Sequence, residues 1–226
     1  MVLHYGELFE VLDSRVQRIY ARIDQLPRFR YPIAYERLPQ DGIYFFFEAG
    51  EIVEVDGDVR DRVARVGTHR VDGRFQSRIR QHFGRVRSLG GNKNSSVFRK
   101  HLGAALMRRI DDGDARLPGW LEQMGPSDRS IEEEVSELLR TRFTFCCIRV
   151  DAQEERLAFE AGLIALLAQH PIGHPSRGWL GRYAAAEGIR RSGLWNTQHL
   201  ESTPFSEEQL ARFEELVDST IKGQPR

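Results

Sequence analysis

The apolar positions change their period several times along the chain, and each change marks an element. From residue 6 to 25, Leu8, Val11, Leu12, Val16, Ile19, Tyr20 and Ile23 recur three and four apart, the stripe of an amphipathic helix. Pro27 and Pro32 end it. Gln40-Asp41-Gly42 is a turn. The unbroken run Ile43-Tyr44-Phe45-Phe46-Phe47 that follows suits a central strand buried on both faces. Ala49-Gly50 is placed to bend the chain, 52–55 resumes the strand, Asp56-Gly57-Asp58 reverses it, and 62–66 returns.

Period then becomes helical. Phe75, Ile79 and Phe83 stand four apart and predict a helix over 75–83, with Arg78 and His82 together on another face. Residues 84–96 are a Gly-, Asn- and Ser-rich loop, 97–110 a basic helix, and 111–130 an irregular excursion with Pro118 and Pro126. Ser130-Ile131-Glu132-Glu133 has the form of a helix start, giving a helix over 131–140. A third strand spans 142–150. A helix over 153–169 turns Leu157, Leu163, Ile164, Leu166 and Leu167 inward and is stopped by His170-Pro171. Trp179, Tyr183 and Trp195 are core anchors of a compact segment, and Ser206-Glu207-Glu208-Gln209 opens a last helix.

The expected fold is α+β: a small, mainly antiparallel sheet of three or more strands flanked by helices, with helical extensions at both ends. The expected division is an N-terminal helical arm over 1–38, a central domain over 39–200 and a C-terminal helix over 201–226. The apolar faces of the terminal helices offer a homodimer surface.

Composition narrows this little. At 226 residues and 40 % apolar content the chain can bury a sizeable core. No apolar run approaches the ~20 residues of a membrane span. The first residues, MVLHYGELFEVLD, carry acids where a secretory leader carries positive charge. A cytoplasmic protein with no membrane partner is expected. Cys146 and Cys147 are adjacent in a predicted strand, so they point to opposite faces, which excludes a cysteine-based zinc site and makes them buried structural thiols.

Charge changes the picture more. The net charge is zero, yet residues 60–109 carry fourteen Lys or Arg against Asp61 and Asp72. Acids are concentrated in 111–137, nine against two Arg. The basic block is a footprint for a polyanion.

Candidate chemistry lies in an ordered, dispersed set. Gly42-Ile43-Tyr44 opens a strand, Arg65-Val66-Gly67 closes the next, and Arg78 and His82 share a helix. Glu160-Ala161-Gly162-Leu163-Ile164 lies on a later helix, and Asn196 follows Trp195. This order resembles the GIY-YIG nuclease superfamily over roughly 42–196. The wide separation of the two tripeptides and the added helices are closest in style to its restriction-endonuclease branch.

The resemblance implies hydrolysis of DNA phosphodiesters with one divalent ion, Mg²⁺ or in its place Mn²⁺. Glu160, the one carboxylate of the matched set, would be the metal ligand, since one carboxylate plus waters suits Mg²⁺. Arg78 would hold the scissile phosphate through its planar fork. His82 would orient the phosphate or Tyr44, and Asn196 would support the site. Tyr44 is the nominal base, although tyrosine ordinarily titrates near about 10.

The second motif departs from the family pattern, with Arg65 where a tyrosine is usual. A guanidinium stays protonated and cannot be a base, so Arg65 would hold a phosphate or a phenolate. His69 is then a rival or companion base to Tyr44. Arg74, Arg80, Lys93, Asn94, Ser95, Ser96, Arg99 and Lys100 would grip the DNA backbone, with Ser95 and Ser96 equally placed to cap a helix. Three readings follow: an endonuclease of restriction or anti-phage type, a catalytically weakened nucleic-acid-binding subunit of a larger assembly, or an unrelated small-molecule enzyme or interaction protein whose tripeptides are accidental, which would leave Tyr44, Arg78 and Glu160 far apart in space.

Overall fold

A computed structural model describes residues 5–169 and 174–223, with side chains from residue 14 onward. The aromatic run folds as β2 (Gly42–Val55), which pairs with β3 (Asp58–Gly67) through a turn in which Asp56 and Gly57 both have positive φ. Such turns match the natural twist of a hairpin. The ladder shifts register between Phe47 and Ile52, and Gly50, with φ of 87°, lies inside the shift. β4 (Phe143–Arg149) covers the other side of β2, and the two-residue β1 (Phe29–Arg30) pairs with β4. The result is a four-stranded, wholly antiparallel sheet in the order β1-β4-β2-β3. β1 is too short to show as a pattern in the sequence.

Alternation along β2 sorts the core into two layers. Tyr44 and Phe46 face α2 (Phe75–Phe83), α3 (Val97–Ile110) and α5 (Arg129–Arg142). Ile43, Phe45 and Phe47 face α1 (Tyr5–Ile23), α6 (Gln153–Gln169) and α8 (Glu207–Lys222). Cys146 lies in the second layer and Cys147 in the first, both buried and free. Burial pushes both thiols up, Cys146 to about 12, so neither is a nucleophile at neutral pH.

The terminal helices are part of this second layer. Val16, Ile19, Tyr20 and Ile23 of α1 pack in one cluster with Leu210, Phe213 and Val217 of α8. Arg18 holds Glu214 at 2.8 Å across the pair. The faces expected to form a homodimer surface are therefore covered within the chain over the described residues. Leu8, Val11 and Leu12, and the stop at His170-Pro171, lie outside those described.

Three local expectations need correcting. Helix α5 starts at Arg129, not at 131, because Asp128 is its cap and accepts the Ile131 N–H at 3.2 Å. The excursion over 111–130 contains a short helix, α4 (Leu117–Leu121), with Pro118 in its first turn. Tyr183 is 43 % exposed and is no core anchor. Trp179 and Trp195 are buried, and both indole N–H groups donate to the buried Glu48 carboxylate, at 3.1 and 3.2 Å. That clamp fixes the segment carrying α7 (Glu187–Ser192) and Asn196 to the sheet. Among the described residues, no helix is long and apolar enough to cross a membrane.

Candidate active site

The end of β3, the following loop, α2 and α6 enclose a cleft of about 870 Å³. Six residues singled out in the sequence line it: Arg65, His69, Arg74, Arg78, Glu160 and Asn196. Arg70 adds a fourth arginine. Four guanidinium groups against one carboxylate make the cleft attractive to a polyanion.

Glu160 projects from α6, and its Oε1 accepts the Thr68 N–H at 3.1 Å. Among the described residues this is its only hydrogen bond, which leaves Oε2 for a ligand. No three His, Cys, Asp or Glu side chains converge there or elsewhere among those residues. A single carboxylate that is oriented but not neutralised fits a hard cation that keeps most of its water and takes further oxygens from a phosphate.

Arg78 is held on α2 by donating through Nη1 to the Ser95 carbonyl at 2.8 Å and to Gln81 Oε1 at 3.1 Å. Its other guanidinium nitrogens stay available to two phosphate oxygens.

Tyr44 is fully buried and does not line the cleft. Its ring is stacked against β3 opposite Gly67, its register partner. A Cβ on Gly67 would lie 2.2 Å from the phenol oxygen, so only glycine fits there. Tyr44 Oη is 2.8 Å from His82 Nε2, and His82 Nδ1 is 2.8 Å from Ser96 Oγ. Burial, then the charges of Arg78, Arg65 and Arg99, hold His82 well below its usual titration range, so its imidazole is neutral.

His69 is placed differently from the expectation of a base. Its Nδ1 is 2.7 Å from the Val71 carbonyl and must donate, so Nε2 carries the lone pair and accepts the Gly42 N–H at 3.3 Å. Both nitrogens are committed to holding the loop that forms one wall. Burial also lowers its pKa.

Asn196 is likewise a positioning group. Its amide accepts from Val66 N at 3.1 Å and donates to Val66 O at 2.9 Å, pairing with β3 as another strand would. Asn196→Ala is expected to cost about 1–3 kcal/mol of stability by orphaning these backbone groups. Urea denaturation measures this, and a loss below ~0.5 kcal/mol would contradict it.

Arg65 donates to the Trp195 carbonyl and stacks at 5.1 Å over Phe98. It is 7 % exposed, and these contacts anchor its guanidinium in the wall of the cleft.

The expected backbone grip divides. Arg74 lines the cleft and Asn94 is exposed. Ser95 and Lys100 are half-buried, with the Ser95 carbonyl and Lys100 Nζ engaged, the latter at 3.3 Å from Leu121 O. Arg80 is exposed but stacks at 3.8 Å on Tyr35, outside the cleft. Lys93, Ser96 and Arg99 are buried and cannot reach a nucleic acid in this structure. Lys93 donates to the Glu122 carbonyl and Asn94, Ser96 caps α3 by accepting the Arg99 N–H at 3.2 Å, and Arg99 pairs with Glu132 at 2.6 Å.

The sequence reading missed Thr68, Ser77, Gln81, Gln153, Gln198 and His199, polar residues that also line the cleft. Their signal was proximity: Thr68 follows Gly67, Gln81 is one turn from Arg78, and Gln198 and His199 follow Asn196.

No curated protein and no solved structure matches the chain. The family model of the GIY-YIG domain matches residues 4–223. That match takes in both terminal helices as well as the cleft, and the chain belongs to the GIY-YIG family of nuclease domains.

Proposed function

We propose that the protein is a divalent-metal-dependent endonuclease that hydrolyses phosphodiester bonds in DNA, with Mg²⁺ as the ion and Mn²⁺ able to replace it, acting in the cytoplasm in restriction or anti-phage defence. The observation that carries this reading is that Arg78 and Glu160, from helices far apart in sequence, line one arginine-rich cleft.

Glu160 would hold the ion through Oε2 while Thr68 N–H fixes its orientation through Oε1. What a divalent ion supplies when bound there is Lewis acidity toward the phosphate and stabilisation of the leaving oxygen. Arg78 holds the scissile phosphate, and Arg70 and Arg74 hold its neighbours, contacts that give affinity without sequence. Tyr44, as its phenolate, would take a proton from the attacking water at Oη, with His82 Nε2 2.8 Å away to support that oxygen. The phenol oxygen lies against the backbone at Gly67 and outside the cleft lining, so this role requires Gly67 to move aside when substrate binds.

The test is incubation with supercoiled plasmid and with single-stranded DNA, in Mg²⁺, Mn²⁺ or chelator. Nicking that needs the ion and disappears with chelator is expected. Binding without cleavage on every substrate would favour the second reading, a weakened family member acting as a nucleic-acid-binding subunit. The anchoring of Arg65, in the place of a tyrosine, to Trp195 and Phe98 supports that alternative.

A further inference from the structure

Tyr44, His82 and Ser96 form a continuous buried row from the middle of the sheet to the cap of α3. All three are 0 % exposed. The imidazole is neutral, so one ring nitrogen carries a proton and the other a lone pair. The row therefore has two possible senses.

In one, Tyr44 donates to Nε2 and Nδ1–H donates to Ser96. Ser96 Oγ already accepts from Arg99 N–H, and its own hydrogen has no acceptor among the described residues. In the other, Ser96 donates to Nδ1 and Nε2–H donates to the Tyr44 oxygen. While Tyr44 keeps its proton the two senses tie, each leaving one hydroxyl hydrogen unused. Once Tyr44 has lost that proton to solvent hydroxide as the pH rises, only the second sense is fully paired. An unpaired polar hydrogen in a dry site is costly.

We propose that Ser96 is a positioning residue for Tyr44: its hydroxyl donates to His82 Nδ1, holds the Nε2–H tautomer, and so directs a hydrogen-bond donor at the phenol oxygen in its deprotonated form. The proposal rests on Tyr44 acting as the base. Charged and titratable groups facing the row from every packed element are Arg78 on α2, Arg65 on β3, Arg99 on α3 with its partner Glu132 on α5, and the Cys147 thiol across from Tyr44 on β4. None of them accepts the Ser96 hydrogen.

The cap and the row can be separated by substitution. Ser96→Thr keeps both. Ser96→Gly keeps most of the capping but loses the hydroxyl, and Ser96→Ala loses both. The rising limb of the pH–rate profile is expected to move up by about one unit in the Gly and Ala variants, roughly tenfold in rate at neutral pH, and to stay in place in the Thr variant. A limb unmoved in the Gly variant overturns the proposal.

A second readout needs no cleavage. The absorbance titration of Tyr44, taken as the difference from Tyr44→Phe with folding followed by circular dichroism, is expected to shift upward in Ser96→Gly. Nitrogen-15 spectra of the wild-type protein above that transition are expected to show His82 protonated at Nε2. Protonation at Nδ1 there also overturns the proposal. If these two results hold while no DNA is cut, the failure belongs to the nuclease reading and not to the row.

Discussion

Glu160→Gln is expected to abolish metal-dependent cleavage, by at least about 10³-fold in rate, while leaving folding intact. The substitution is chosen for what it keeps. The glutamine carbonyl oxygen can still accept from Thr68 N–H, so the wall between α6 and the loop after β3 stays in place. What it loses is the negative charge, the one carboxylate in a lining that otherwise carries four arginines. A hard cation binds an amide oxygen far more weakly than a carboxylate. DNA affinity measured in chelator should be unchanged or tighter, because the variant removes a repulsion from the phosphates. The measurement is plasmid nicking against time beside an unfolding curve. A variant that cuts within tenfold of the parent would remove Glu160 from the metal role. A variant that no longer folds would mean that the carboxylate serves structure first.

The largest stability effect is expected at a pair that local sequence reading could not see. Arg99 and Glu132 are both buried, joined at 2.6 and 2.8 Å. The same carboxylate accepts from Lys93 N–H and from Ser127 Oγ, and the same guanidinium donates to the His82 carbonyl at 2.9 Å. Glu132→Ala leaves the Arg99 charge buried without its partner, which costs about 3–5 kcal/mol. Against a total of about 5–15 kcal/mol this is a large fraction. Glu132→Gln retains acceptor oxygens and should cost less. Urea unfolding separates the two, read at the midpoint with an unchanged slope. Equal loss in both would mean that shape rather than charge holds the pair. Because these bonds also tie the 92–96 loop to α2, the alanine variant should lose activity together with stability.

These two positions show where the sequence was legible. Strand β2 could be read because five consecutive β-formers leave few alternatives, and α2 because its apolar row lies four residues apart. Both are local patterns. Arg99 was read as a DNA-gripping residue because a basic helix following a Gly-rich loop looks solvated. In the fold, nearly all of α3 from Phe98 to Met107 is buried, and the partner that makes burial tolerable is thirty-three positions away. Nothing near residue 99 announces Glu132.

The contacts of His69 were hidden for a different reason. Its identity suggested a base, but its function is set by which atoms lie within hydrogen-bond reach, and Val71 and Gly42 occupy both nitrogens. Ser96 was legible as a cap and not as the neighbour of His82. Arg78 and Glu160 came from the order of motifs, and their meeting in one cleft depends on how α2 and α6 are docked, which periodicity does not encode. Tyr44 came from the same order, but its depth beneath Gly67 is set by how β3 lies over its ring.

The outer border of β3 has a consequence for how copies of this protein can associate. Trp195 N–H bonds Ala64 O at 2.7 Å, and Asn196 takes both polar groups of Val66. Those rungs are thus occupied by the chain's own later segment, and the opposite border, β1, is two residues wide. An intruding strand finds those rungs of β3 already taken and only two residues of β1 to pair with, a partial protection against fibrous self-association.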